Sequence, residues 1–148
     1  MLVSHTIEGI PASIDRQRAI QARLTDMTPV MTLLLAEFYA IEEDLFNEQG
    51  ATGEHGQWDE IKDSTRLRRK EKKDGPILDD TGALRDSLTR GNALGSRRRI
   101  TPHSFEAGSD LDRAAYVAAG GRRPIDFTAS QVEYFNYQVE RYVMGEIL

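Results

Sequence analysis

The sequence predicts a helix-dominated α+β domain with a small antiparallel sheet. Apolar residues recur at spacings of three and four after Thr28 and again after Thr128, the period of a helix with one buried face. A stretch around Thr101-Pro102 has the pattern of two short strands joined by a turn. The chain has 148 residues. That length fits a single domain, residues 1–148, able to bury about two thirds of its unfolded surface.

Val3, His5 and Ile7 alternate with polar neighbours, a weak strand signal. Pro11 suits the first turn of a helix reaching about residue 24. Thr28 offers an N-cap hydroxyl for a second helix, and Pro29 a preset φ. Val30, Leu34, Phe38, Ile41 and Leu45 stack on one face of that helix. Gly50, Gly53 and Gly56 then mark a connector. They lack the GxGxxG pattern and the P-loop lysine of a nucleotide site.

Residues 59 to about 72 read as a third helix, ended by Asp74-Gly75-Pro76. Ile77-Leu78 form an apolar anchor, residues 79–82 a turn, and residues 83–89 a short helix. Residues 97–100 and 103–109 pair as a hairpin with Phe105 and Ala107 on one face. Residues 110–119 are helical and stop at Gly120-Gly121, and residues 124–127 are extended. Thr128 and Gln131 have capping-box spacing ahead of a last helix striped by Val132, Phe135, Val139 and Tyr142.

Composition narrows the function. Hydrophobic residues make up 39% and charged residues 29%, an ordinary composition that does not suggest disorder. With 19 basic and 24 acidic residues the net charge is −5, against the basic balance of a freely diffusing nucleic-acid binder. The absence of cysteine excludes disulfides, zinc–cysteine sites and thiol catalysis. MLVSHTIEG shows no secretion signal, and the longest apolar run, residues 33–36, is far short of a membrane span. A soluble protein with no membrane partner is expected.

No arrangement of residues points to catalysis, a metal or a cofactor. His5, His55 and His103 lack HxxxH or HExxH spacing and read as surface or structural histidines. No GxSxG elbow is present. Asp79-Asp80, at a turn entering a helix, fit caps better than a cation site. Trp58 reads as a core anchor for the third helix, with partner contact as its other use. Tyr134 and Tyr137 fall off the inner stripe of the last helix and are candidates for subunit contact.

Charge is segregated by segment. Between residues 24 and 61 there are nine acids, Glu37, Glu42, Glu43 and Glu48 among them, and no Lys or Arg. From Lys62 to Lys73 there are seven basic residues, including Arg66, Arg68, Arg69 and Lys70, against Asp63 and Glu71. Arg97-Arg98-Arg99 and Arg122-Arg123 add smaller clusters. Three accounts stay open: an acidic helix beside a basic one in one molecule, opposite patches meeting between subunits, or basic residues facing DNA inside a ring.

The segment from Gly56 to Leu88 resembles the phage virion morphogenesis family, the neck or tail-completion proteins of tailed bacteriophages. The resemblance is carried by Gly56-Gln57 with Trp58, then Ser64-Thr65 and the basic run to Lys70, then the stretch from Leu78 through Thr81-Gly82-Ala83-Leu84 to Ser87. Ser109, Ala114-Ala115-Tyr116, Gly120 and Arg123-Pro124 extend it more loosely, and Ile125-Asp126-Phe127 departs from the family pattern. The resemblance implies a structural virion protein at the head–tail junction, built in the host cytoplasm. It further implies a homo-oligomeric ring, sixfold, with head–tail connector and tail-terminator or tail-tube proteins as partners and DNA in the lumen. The alternative is a nucleic-acid-binding accessory protein using the basic run of residues 62–73.

Overall fold

The computed structural model describes residues 9–71 and 74–148. The predicted strand at Val3, His5 and Ile7, and Lys72 and Lys73 of the basic run, lie outside them. Among the described residues 53% are helical and one two-stranded antiparallel sheet is formed, the helix-dominated α+β fold that the periodicity predicts. The elements are α1 (Ile10–Thr25), α2 (Thr28–Asn47), α3 (Asp63–Arg68), α4 (Ala83–Thr89), β1 (Ser96–Thr101), β2 (Ser104–Ser109), α5 (Asp112–Ala119) and α6 (Ala129–Met144).

α2 is the central element, packed by α4, the hairpin and α6. Its first half joins one apolar cluster, Val30, Met31 and Leu34 with Tyr142 of α6. Its second half joins another, where Leu45 and Phe46 meet Trp58, Ile77, Leu84 and Leu88. The expected cap is displaced by one turn position. Thr28 is the first helical residue, Met27 occupies the cap, and the Thr28 amide donates to Asp26 Oδ1 at 3.0 Å. Hydrogen bonding from the Thr28 side chain, and then from its amide, holds the Asp26 carboxyl below its usual pKa. Ile41, expected on the inner stripe, is only half-buried, whereas Met31, Leu35 and Phe46 are buried.

The expected hairpin forms with its turn one residue later than Thr101-Pro102, at Pro102-His103, so that Ile100 lies opposite Phe105 and Thr101 opposite Ser104. Its tip pins the bend between the first two helices. The Met27 amide donates to Pro102 O at 2.9 Å, and His103 Nε2 lies 2.9 Å from Leu24 O. α6 carries the expected capping box, with both Thr128–Gln131 bonds formed. It reaches the same bend through Tyr142, whose hydroxyl donates to Asp26 O at 2.9 Å.

The third helix is much shorter than its sequence suggests. Arg122 explains the late start: its guanidinium donates to the carbonyls of Asp59 and Glu60, which a longer helix would have used itself. After Arg68 the chain turns extended. Arg69 folds inward to donate to the Gly75 and Pro76 carbonyls at 2.9 Å each, and the Asp80 carboxylate accepts from the Lys70 and Glu71 amides. Buried and charge-assisted partners outside the helix replace the helical ladder.

Gly82 precedes α4 with φ +82°, in the left-handed region that a β-branched side chain avoids. Beside it, Thr81 Oγ1 accepts from the Ala83 amide at 3.4 Å, and Leu84 is buried. No single helix among the described residues is long and apolar enough to cross a membrane. The bent pair α1–α2 reaches the length, but the apolar side chains of α2 face the core.

Candidate functional site

Trp58 sits in the irregular segment ahead of α3, not on that helix. It is buried, its ring meets Phe46 edge-on at 5.3 Å, and its Nε1 donates to Arg123 O at 3.0 Å. Its amide donates to Gln49 O at 2.9 Å. Gly50, at φ +91°, leaves room for the indole: a Cβ there would stand 2.6 Å from Trp58 Cδ1. Trp58 therefore clamps the connector after α2 against the segment that carries Arg122 and Arg123.

The same connector holds a pair that sequence spacing concealed. His55 Nδ1 lies 2.6 Å from Asp126 Oδ1, and the His55 amide donates to Asp126 Oδ2 at 2.9 Å. The adjoining cavity of ≈ 130 Å³ is lined by no Ser, Thr or Cys, so no hydroxyl or thiol nucleophile stands beside the imidazole. Among the described residues no group of three or more His, Asp or Glu is placed to hold a metal ion. The His55–Asp126 contact joins two loops that are 71 residues apart in sequence.

The acidic candidates separate into different environments. Glu42 is fully buried and does not belong to a surface patch. Its position, four residues after Phe38 and three before Leu45, places it on the inward stripe of α2. Neither Glu42 carboxyl oxygen has a hydrogen-bond partner. Burial, with Asp126 nearby, pushes its pKa up to about 8, so the group holds a proton at neutral pH. Glu37 is half-buried. Glu43 bonds Arg85 of α4, which also donates to Asn47 Oδ1 at 2.6 Å.

The basic candidates separate as well. Arg69 is buried in the turn described above, and Arg66 pairs with Glu60 at 2.6 Å. Lys70 is exposed. Arg68 and Lys62 are exposed and make no ion pair among the described residues. They rim an open groove of ≈ 440 Å³ between α3 and α5, together with Arg113 and Arg122. Ile61, Leu78, Leu84, Val117 and Tyr116 provide its apolar part, and Tyr116 is 81% exposed. Arg113, Tyr116 and Arg122 come from a distant segment, which is why the charge pattern along the chain did not place them here.

α6 carries the expected exposed tyrosines. Tyr134 is 41% and Tyr137 54% exposed, so each leaves much of its ring in solvent. Arg141 lies over the Tyr137 ring, 5.6 Å from its centroid, and pairs with Glu146 at 3.4 Å.

The fold and these surfaces define a small helical α+β protein with a basic, partly apolar groove and a separate aromatic helix face. In comparisons with family models, curated proteins and solved structures, no match to the chain emerged. The likeness to phage neck proteins therefore rests on the order of motifs between residues 56 and 88.

Proposed function

We propose that this chain is a structural virion protein of a tailed bacteriophage, a neck or tail-completion component that forms a ring at the head–tail junction. Its work is assembly: copies pack head-to-tail, and the ring joins tail to DNA-filled head through connector and tail-terminator or tail-tube proteins. Sixfold closure follows from the family resemblance. The observation that carries the reading is the motif order of residues 56–88, supported by two unlike exposed surfaces on one small domain. Such surfaces suit a heterologous contact, in which one patch meets a different patch of the next copy.

Electron microscopy of the purified protein, alone and mixed with phage tails, tests the reading. Ring-shaped particles capping one end of the tail are expected. Protein that neither forms rings nor attaches to tails would sink it.

A rival reading, a nucleic-acid-binding accessory protein, draws on one specific feature. Lys62, Arg68 and Arg113 stand unpaired among the described residues beside exposed Tyr116. Such a binder would lose affinity steeply with salt and need no protein ring. The net charge of −5 weighs against it.

A further inference from the structure

Two surfaces on this molecule are each incomplete, and their chemistry is complementary. The α3–α5 groove has an apolar floor and a rim of five cations and one acid, Asp80, which is engaged by the Lys70 and Glu71 amides. Two of its cations are already engaged, Arg69 by turn carbonyls and Arg122 by the carbonyls of Asp59 and Glu60. Lys62, Arg68 and Arg113 have no anionic partner among the described residues. A volume of ≈ 440 Å³ lies within the range of about 300–1,000 Å³ usual for sites that accept a whole ligand group.

The outward face of α6 has the opposite character. Glu133, Tyr137, Glu140 and Met144 follow at spacings of four, three and four, so they share one stripe of the helix. All four are exposed. Glu133 and Glu140 form no ion pair among the described residues. Arg141, beside the stripe, is already held by Glu146 and the Tyr137 ring, and the Arg23 guanidinium lies against Gly145 at its C-terminal end. The two free carboxylates are separated by about 10 Å along the helix axis, flanking Tyr137 on either side.

We propose that the α3–α5 groove of one copy receives the outward face of α6 of a second copy, Tyr137 entering the groove and Glu133 and Glu140 meeting its unpaired cations. The proposal rests on the ring reading and names the contact that builds the ring. It follows the helix-in-groove mode, in which anchors at i, i+4 and i+7 enter a partly apolar cleft. Other surfaces of the chain fit the groove less well. The exposed apolar residues of α1, Ile10, Ile14 and Leu24, share their helix with Arg16, Arg18 and Arg23 and only Asp15, a charge the groove repels. α2 presents no exposed large apolar side chain, and its Glu42 and Glu43 are buried or paired. α6 packs on α1 and α2, so groove and stripe are different patches and the contact is head-to-tail.

The chain has no cysteine, which permits a direct test. Tyr116→Cys and Glu140→Cys are made separately, mixed in equal amounts and oxidised; a disulfide dimer containing one of each is expected, in excess of either homodimer. Independently, Arg113→Glu should weaken self-association about tenfold in sedimentation velocity, with circular dichroism unchanged. Adding Glu140→Arg to the same chain should restore association. If wild-type protein forms rings but the mixed disulfide is absent and Arg113→Glu assembles normally, the groove–α6 contact is overturned while the ring reading stands. If wild-type protein stays monomeric and never attaches to tails, both are overturned. If a labelled single-stranded oligonucleotide binds wild-type protein, is released by Arg113→Glu, and association is unaffected, the groove is a nucleic-acid site and this proposal fails.

Discussion

α1 and α2 are consecutive helices that open alike and meet opposite fates. Each has proline in its first turn and apolar residues on one face. α2 buries eight residues, whereas α1 buries none. Composition and surroundings both differ. α2 carries ten large apolar residues to the four of α1. It is enclosed by α4, the hairpin and α6, while α1 meets α6 alone among the elements it packs against substantially. An apolar stripe makes a helix fit to be buried, but only other surfaces bury it. Register also overrides polarity, since Glu42 goes inward with the stripe it belongs to.

The comparison breaks most visibly at the α2 C-terminal cluster. Trp58→Ala removes a buried ring that packs on Phe46, together with its bond to Arg123. A loss of about 3–5 kcal/mol is expected in urea unfolding. A loss under about 1 kcal/mol would show that this cluster does not hold the connector. Leu45→Ala, at a side chain 1% exposed, should follow at about 2–5 kcal/mol, with its unfolding midpoint lowered in the same assay.

Glu42 sharpens the contrast through pH. Its folded pKa of about 8 lies above the ordinary 4.5, so between those values the folded state holds a proton that the unfolded chain has released. The contribution of this group is therefore fully present below 4.5 and is lost as pH rises through about 8. Across that window it falls by about 1.4 kcal/mol per pH unit. Urea midpoints of wild type should drop between about pH 5.5 and about pH 7.5, and those of Glu42→Gln should drop less over the same interval. Equal pH dependence in the two proteins would mean that Glu42 ionises freely in the fold.

α1 supplies the smallest effect. Ile14 is 41% exposed, so Ile14→Ala should change monomer stability by no more than about 0.5 kcal/mol either way. A destabilisation above about 1.5 kcal/mol, comparable to a partly buried site, would erase the distinction between the two helices.

Much of the fold was legible because it depends on local signals. The bounds of α4, the capping box of α6 and, to within one residue at its turn, the hairpin each follow from residues close in sequence. The burial of Glu42 was not read from sequence: the run of acids around it suggested a surface patch, whereas the structure places it on the inward face with Phe38 and Leu45. The groove was harder. Its cations come from residues 62–69 and 113–122, and nothing in either stretch announces the other. The His55–Asp126 pair and the Arg122 bonds that truncate α3 were hidden for the same reason, since each spans more than sixty residues.

By itself the sequence determined the helix-dominated α+β class, most element positions and the absence of cysteine chemistry, because period, caps and composition act over a few residues. Tertiary structure alone decided which charges face solvent. Arg69 turned inward because the Gly75 and Pro76 carbonyls accept its hydrogen bonds, Glu43 was taken up by Arg85, and Arg68 was left free at a groove that exists only once residues of α3 and α5 line it together. A charge written in sequence becomes surface charge only where folding provides no buried partner for it.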